Sequence, residues 1–343
     1  MAKKISYPDY LALLSDPATT DDEILAVSVV RKGRGGFDFH LRPDPKKVAM
    51  TPDLEQLENA LQIGNTVSRW RRQVTFRNRL NSGEKLPVLV EEGDSWHQFP
   101  LLVKDVIDQL GKDHLIYSVG AAGDTAQNMI YGPKGQGGNE YLDALAGQRK
   151  QVRGFLFSAA GNDIIGEDPE TGVAVLHDLL KPFNGNPADV VGHINMAVLA
   201  QKIAYLDDAY RHVIGTIRQD KDFARLPIFI HGYDYAFPYP DGPDDPRKPK
   251  HAKKNEWLGE PLDARKIKDR DLRRNIIRFL VDALYDMLGN VAGDPKQTRV
   301  WLVDCRGAMP EVTDWIDEIH GTSEGFAKVA ARFRKVLKKA GVS

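Results

Sequence analysis

The chain has 343 residues, which corresponds to about two domains of average size or to one large domain with an appendage. Hydrophobic residues make up 42% and charged residues 28%, a composition typical of a folded globular protein and not of a disordered or fibrous one. The 47 Lys and Arg residues nearly balance the 48 Asp and Glu residues, so no global electrostatic attraction to nucleic acid or to an anionic membrane is expected.

Cysteine content and hydropathy restrict the class of protein further. Cys305 is the one cysteine, which excludes an intramolecular disulfide and a cysteine-based zinc or iron–sulfur site. Residues 1–10 lack the apolar run of a secretory signal, and no stretch approaches the roughly 18 apolar residues of a membrane span. We therefore expect a cytoplasmic protein without a transmembrane segment.

The first 85 residues carry mainly helical signals. Thr20 and Glu23 have the spacing of a capping box, and the glycines within 33–36 predict a turn. A short apolar stripe at helical spacing is formed by Leu54, Leu57 and Leu61. We predict a mostly helical N-terminal extension over 1–85, followed by a separate domain over 86–343.

The stretch 69–79 interleaves basic and aromatic residues, a pattern also found in proteins that bind nucleic acids. The chain is nearly neutral and has no second patch of this kind. We therefore interpret the stretch as a solvated amphipathic helix packed on the following domain, and we expect no nucleic-acid partner.

From residue 87 onward, short apolar segments alternate with helical patterns. The five apolar segments, each rich in β-branched or aromatic residues, are 87–95, 114–123, 154–163, 226–234 and 299–307. Amphipathic helices are predicted over 198–217, 272–288 and 326–337, the last one capped by Ser323 and followed by Gly341. Near-continuous apolar strands that alternate with helices predict a five-stranded parallel sheet with helices on both faces, a doubly wound α/β three-layer sandwich.

A long irregular segment, 236–262, separates the fourth predicted strand from a long helix and contains six prolines. Loops of this length are uncommon in compact domains and are usually functional or disordered. Its basic residues are Arg247, Lys248, Lys250, Lys253 and Lys254. We interpret the segment as a charged, flexible insertion.

In a doubly wound sheet the binding crevice lies beyond the carboxyl ends of the strands. Ser95 follows the first strand within Gly93-Asp94-Ser95, where a serine nucleophile would need a histidine base and an orienting acid. The alternative is a simple turn in which Asp94 or Ser95 caps the next helix. Near the C-terminus, Asp317 lies three residues before His320, a spacing at which the carboxylate can orient the imidazole.

The alternative for this second pair is a helix end with a solvated acid and a solvated histidine. Asp314 also lies near His320, but the three-residue spacing favours Asp317 as the acid.

Four blocks in chain order resemble the SGNH (GDSL) hydrolase family over about 86–340: Gly93-Asp94-Ser95, Ala122-Gly123-Asp124, Gly161-Asn162-Asp163 and Asp317-x-x-His320. The resemblance implies a flavodoxin-like fold. It also implies that Ser95 is the nucleophile, that His320 is the general base and that Asp317 orients it. The backbone N–H groups of Ser95 and Gly123 and the side-chain amide of Asn162 would then form the oxyanion hole.

The sequence departs from the family pattern at three positions. Trp96 replaces a common leucine, Ala160 stands where the third block usually has glycine, and Gly321 replaces a frequent proline. Trp96, His231 and Tyr233 are candidates to line the substrate pocket, and for the segment 231–234 a structural role in its loop is favoured over pocket lining. Asp94 and Asp163 are expected to brace loops.

The predicted function is hydrolysis of a carboxylic ester by an esterase, a lipase-like enzyme or a sugar O-deacetylase. The substrate would be a small-molecule, lipid or glycan ester, and neither a cofactor nor a metal is implied. The alternative is a non-catalytic binding or adaptor protein on the same fold that docks through the N-terminal extension. The pattern leaves the oligomeric state open.

Overall fold

The computed structural model describes residues 4–32, 39–49, 64–99, 101–133, 138–166 and 173–343. The predicted leucine stripe at 54–61 and the predicted turn at 33–36 lie outside these ranges. In the described part of the chain, no helix combines the length and the apolar character needed to cross a bilayer.

The described residues form seven strands and twelve α-helices. The strands are β1 Ser28–Lys32, β2 Phe39–Pro43, β3 Val88–Glu92, β4 Leu115–Ser118, β5 Val152–Phe157, β6 Ile228–His231 and β7 Val300–Val303. The helices are α1 Tyr7–Ser15, α2 Asp21–Ala26, α3 Gly64–Asn81, α4 Val106–Leu110, α5 Ala126–Tyr131, α6 Glu140–Gly147, α7 Gly161–Ile164, α8 Leu176–Leu179, α9 Met196–Gln219, α10 Gly259–Ala264, α11 Arg270–Gly293 and α12 Ser323–Lys339.

Strands β3 to β7 form one parallel sheet in the order β4-β3-β5-β6-β7. This is the flavodoxin-like order, and it confirms the predicted fold class. All residues of β3 and β6 are buried, which is why their sequences are almost uninterrupted apolar runs. The chain reverses its direction of winding between β3 and β5, so a crevice opens at the carboxyl ends of these two strands.

Helices cover the sheet along its whole width. Helix α3 lies against β4, α6 against β3, α11 against β6 and β7, and α12 against β7. The helices predicted near residues 198–217, 272–288 and 326–337 correspond to α9, α11 and α12. The cap of α12 differs by one residue: Thr322 accepts the N–H of Gly325, whereas the hydroxyl of Ser323 accepts the N–H of Lys104.

The N-terminal region is less helical than expected. Its β1 and β2 pair in antiparallel register, with Val30 opposite Leu41. Consecutive β-branched residues at the start of β1 favour a strand over a helix. Helix α2 begins with the predicted capping box of Thr20 and Glu23. A small separate core joins these elements, formed by Tyr7, Tyr10, Leu14, Ile24, Leu41, Val48 and Leu101.

Helix α3 packs onto the edge strand of the large sheet. Phe76 on its inner face meets Tyr117 of β4 edge-on, with ring centroids 5.4 Å apart. Its arginines engage acceptors of the chain: Arg72 contacts Asp105 at 2.5 Å. Residues 64–81 thus cover part of the sheet, as expected for the stretch 69–79, although they precede the boundary predicted at residue 85.

The buried carboxylate of Glu318, in the turn that follows β7, binds the backbone of the insertion 236–262. Each oxygen of Glu318 accepts two backbone N–H groups of the insertion. The four donors, at 2.6–2.9 Å, are Tyr239, Trp257, Leu258 and Gly259. A carboxylate that is completely buried requires this number of donors to replace its hydration.

Arg247 in the insertion also differs from the expected flexible, charged loop. It is 3% exposed, forms an ion pair with Asp245, and donates to the carbonyl oxygens of Phe237 and Asp317 at 2.6 and 3.0 Å. The middle of the insertion is therefore part of the packed interior.

Replacing Glu318 by alanine would leave four buried N–H groups without an acceptor. We expect Glu318→Ala to lower the free energy of unfolding by about 3 kcal/mol, measured by urea denaturation. The matched control is Glu324→Ala at an exposed position, which should lower it by less than about 1 kcal/mol. Equal values for the two variants would contradict the anchoring role.

Candidate active site

Ser95 lies in the turn directly after β3, at the crevice. Its Oγ is 2.8 Å from Nε2 of His320, and the side chain of His320 is fully buried. The two residues are 225 positions apart in the chain. The parallel sheet brings them together, because all strand ends point to the same edge.

The other nitrogen of His320 contacts the predicted acid. Nδ1 lies 2.7 Å from Oδ2 of Asp317. A carboxylate only accepts hydrogen bonds, so Nδ1 carries the proton, and in the neutral ring Nε2 is left to accept the hydroxyl proton of Ser95. Oδ1 of Asp317 accepts the backbone N–H groups of Ile319 and His320, both at 2.8 Å. The three-residue spacing allows this local loop to hold the acid and the ring together.

A further histidine reaches the same carboxylate. Nε2 of His251, in the insertion, lies 2.8 Å from Oδ2 of Asp317. Burial alone would raise the pKa of Asp317, but the imidazoles of His320 and His251 hold it well below its usual range. Sequence reasoning missed His251 because it lies 66 residues from Asp317 within an aperiodic segment.

Asn162 and Gly123 follow the two strands that flank β3. The side-chain amide of Asn162 donates one hydrogen bond to the carbonyl oxygen of Asp124 at 2.6 Å, and an amide has a second N–H for another acceptor. Gly123 has a φ of +83°, a conformation that favours glycine. Ser95, Gly123 and Asn162 therefore lie at the carboxyl ends of three adjacent strands.

The unusual residue of the third block, Ala160, has a φ of +98°. The backbone thus keeps a positive φ, which glycine usually adopts, although the residue here is an alanine. The next N–H, of Gly161, donates to the hydroxyl of Tyr233 at 2.7 Å, and that hydroxyl donates to Asp94. Tyr233 thus links Asp94 of the first sequence block to Gly161 of the third by hydrogen bonds.

A narrow pocket opens beside Ser95. Trp96 and Tyr233 line it. The apolar part of its wall is completed by Ile165, Ala236, Trp315 and Ile319. His231 lies in the core instead: its ring is fully buried, stacks on His97 with centroids 4.9 Å apart and packs against Phe333.

The two flanking aspartates brace loops, as expected. Asp94 accepts the N–H of Trp96 at 3.1 Å, and Asp163 accepts the N–H of Ala126 at 3.2 Å. Burial raises the pKa of both carboxyls, that of Asp163 to about 6.

Helix α3 holds the loop that contains Gly123. Asn65 forms a pair of hydrogen bonds with the backbone of Ala122: its Oδ1 accepts the N–H and its Nδ2 donates to the carbonyl oxygen, both at 3.0 Å. Arg69 on the same face donates to the carbonyl oxygen of Gly120 at 3.4 Å and pairs with Glu140. The N-terminal region thus supports one wall of the candidate site.

A second, wider groove lies between α3 and this loop. Its lining includes Gly123 and Asp124 from the loop and Trp70 from the helix, whose side chain is 42% exposed. Polar groups complete it, namely Asn65, Thr66, Gln73, Asn128 and Glu140. Gly123 thus lies beside a groove that combines polar side chains with one flat aromatic ring.

One group of three potential metal ligands converges in the described residues: His251, Asp317 and His320, with ligand atoms within 4.8 Å of one another. The nitrogens of both histidines lie at hydrogen-bond distance from Asp317. We therefore interpret the group as a hydrogen-bonded chain.

Comparisons with known proteins concern the fold. No family model and no curated protein matches the chain. Among solved structures, a protein described as a GDSL-like lipase from Bacteroides ovatus is 11% identical, with a TM-score of 0.39 over 74% of this chain and 53% of that one. The match thus spans about half of the lipase chain.

Two further solved structures match along most of their length. A family 3 carbohydrate esterase from Clostridium thermocellum is 14% identical, with a TM-score of 0.39 over 74% of this chain and 96% of that one. A carbohydrate acetylesterase from Sinorhizobium meliloti is 13% identical, with a TM-score of 0.37 over 75% and 100%. The function proposed below rests on the geometry of the site.

The backbone of Ala160 offers a test of the third block. A non-glycine residue at this φ is strained, so Ala160→Gly should raise the free energy of unfolding by about 1 kcal/mol. The matched control is Ala159→Gly, at a buried neighbour outside the positive-φ residues, which should lower it by about 1 kcal/mol. Chemical denaturation of both variants measures the effect, and a destabilised Ala160→Gly would contradict the strain.

Proposed function

We propose that the protein is a serine hydrolase of the SGNH type that cleaves carboxylic esters. The observation that carries this proposal is the continuous chain from Ser95 through His320 to Asp317, with contacts of 2.8 and 2.7 Å. A serine hydroxyl becomes a nucleophile when a neighbouring base accepts its proton, and this chain supplies both the base and the group that orients it.

In the proposed reaction, Oγ of Ser95 attacks the ester carbonyl carbon while Nε2 of His320 accepts the hydroxyl proton. The imidazolium then donates this proton to the departing alcohol, and an acyl-enzyme remains. Water, deprotonated by His320, then attacks the acyl-enzyme. The imidazolium returns the proton to Oγ of Ser95, and the carboxylic acid leaves. The buried carboxylate of Asp317 stabilises the imidazolium in both steps.

The negative charge of the tetrahedral intermediate would be stabilised by the backbone N–H groups of Ser95 and Gly123 and by the amide of Asn162. The adjacency of β4, β3 and β5 supports this assignment, because it brings the three donors to one end of the sheet. The bond from Asn162 to Asp124 fixes the amide before substrate binds.

The pocket beside Ser95 and the groove beside Gly123 support a short acyl group and a polar alcohol. The pocket walled by Trp96, Trp315 and Ile319 is narrow and largely apolar, so it suits an acetyl-sized group. The groove with Trp70 combines polar side chains with a flat ring on which a sugar could stack. Among the esterase activities considered, O-deacetylation of a sugar fits this arrangement best.

The alternative of a non-catalytic adaptor that docks through the N-terminal extension receives less support. The inner face of α3 is occupied by the sheet and by the loop of Gly123, through Phe76 and Asn65. Burying a hydrogen-bonded Asp–His pair beside a serine also lowers the stability of the fold, which is easier to explain if the pair has a catalytic role.

The nucleophile is tested by hydrolysis of p-nitrophenyl acetate. We expect Ser95→Ala to lower kcat/KM by at least about 10⁴-fold and to abolish labelling by a fluorophosphonate. Ser82→Ala, at an exposed position, is the control and should behave as the unmodified protein. Equal hydrolysis by Ser95→Ala and the control would refute the assignment. A rate that falls as the acyl chain grows from two to eight carbons would support the short-acyl pocket.

The bonds between Asn65 and Ala122 predict a role for α3 in catalysis. Asn65→Ala should let the loop of Gly123 shift and should lower kcat by about tenfold, because oxyanion stabilisation depends on the positions of its donors. Asn78→Ala, an exposed site on the same helix, is the matched control and should keep full activity. An unchanged kcat in Asn65→Ala would exclude this contribution.

A further inference from the structure

We propose that His251 is a positioning residue for the acid of the catalytic chain, an inference that rests on the proposed hydrolase function. The chain would then comprise four side chains, Ser95, His320, Asp317 and His251. The last of these comes from the insertion and not from the sheet. The insertion would therefore take part in catalysis by fixing the carboxylate.

The hydrogen bonds at Asp317 define what His251 can do. Oδ1 is fixed by two backbone N–H groups of its own turn. Oδ2 lies 2.7 Å from Nδ1 of His320 and 2.8 Å from Nε2 of His251. Because a carboxylate only accepts, both nitrogens are protonated donors, and the two imidazoles share one oxygen.

The surroundings of His251 keep water away from this oxygen. His251 is 1% exposed, and Asp317 and His320 are fully buried. The ring of Phe99 lies 5.1 Å from that of His251 and 4.5 Å from that of His320, so it packs against both imidazoles. Trp257 lies 5.4 Å from the ring of His320. His251 thus supplies a hydrogen bond at a place where a solvent molecule would otherwise be needed.

Two ionisable groups of the turn after β7 lie against His251: Oδ2 of Asp317 at 2.8 Å, and the ring of His320 with a centroid distance of 6.3 Å. Arg247 donates to the carbonyl oxygen of Asp317 at 3.0 Å. Two residues of the insertion therefore contact Asp317: Arg247 binds its backbone carbonyl and His251 binds its side chain.

This geometry gives His251 a specific effect on the reaction. During the attack of Ser95, His320 becomes positively charged, and its stabilisation depends on the position of Oδ2 of Asp317. Without His251, Oδ2 would lose one of its two donors, and the carboxylate could rotate or admit water. His251 does not reach the substrate in this arrangement, so its removal should affect kcat more than KM.

The experiment compares His251→Phe, which keeps a ring without a donor, with His251→Gln, whose amide nitrogen can take the place of Nε2. We expect His251→Phe to lower kcat on p-nitrophenyl acetate by about tenfold, with KM changed less than twofold. His251→Gln should recover at least a third of the original kcat.

His212→Phe, at an exposed histidine of α9, is the matched control and should match the unmodified protein in every readout. If His251→Phe does not fold, His251→Asn takes its place, since its amide ends one methylene short of the carboxylate. Urea unfolding of each variant separates positioning from packing. Equal activity of the donor and non-donor variants, or an activity loss that simply follows the loss of stability, would overturn the role of His251.

The outcome for His251 is distinguishable from that for the proposed function. If the unmodified protein neither hydrolyses the ester nor reacts with a fluorophosphonate, the hydrolase function itself fails. If the unmodified protein reacts and His251→Phe reacts at the same rate, only the inference about His251 fails.

Discussion

The arrangement of the candidate site depends on one buried charge, the carboxylate of Asp317. Its two oxygens accept four hydrogen bonds, two from the backbone of its own turn and two from imidazoles. A carboxylate removed from water is tolerated only with such a set of donors, so the groups around it are constrained in position. The turn after β7 and the insertion both contact the carboxylate of Asp317, and Ser95, which follows β3, is connected to it through His320.

The sheet and the positions of three residues at its edge could be predicted from the sequence, because both follow from local patterns. Strand order makes the ends of β3, β4 and β5 neighbours, so Ser95, Gly123 and Asn162 could be placed together without knowing any loop. His251 could not be found in this way, since the path of an aperiodic, proline-rich segment depends on tertiary contacts such as those of Glu318. The hairpin of β1 and β2 was missed because its strands are short and flanked by helical signals. For His231 both a structural role and a pocket-lining role stayed open, because strand-end position alone does not distinguish a core ring from a pocket wall.

Buried acids surround the site beyond the catalytic chain. Burial raises the pKa of Glu92 and of Asp94, and an oxygen of Glu92 has no hydrogen-bond partner in the described residues. Each such group lowers stability relative to an apolar side chain. Both residues lie at the end of β3 or directly after it, next to the crevice.

The contact of Asn65 with Ala122 involves only backbone atoms of the loop that precedes Gly123. Because the side chains at 121 and 122 take no part in it, they can change without loosening the loop. The groove beside the site can therefore be reshaped by substitution while the geometry near Gly123 is preserved. Positions 121 and 122 are therefore a place to begin when the shape of the groove is to be altered.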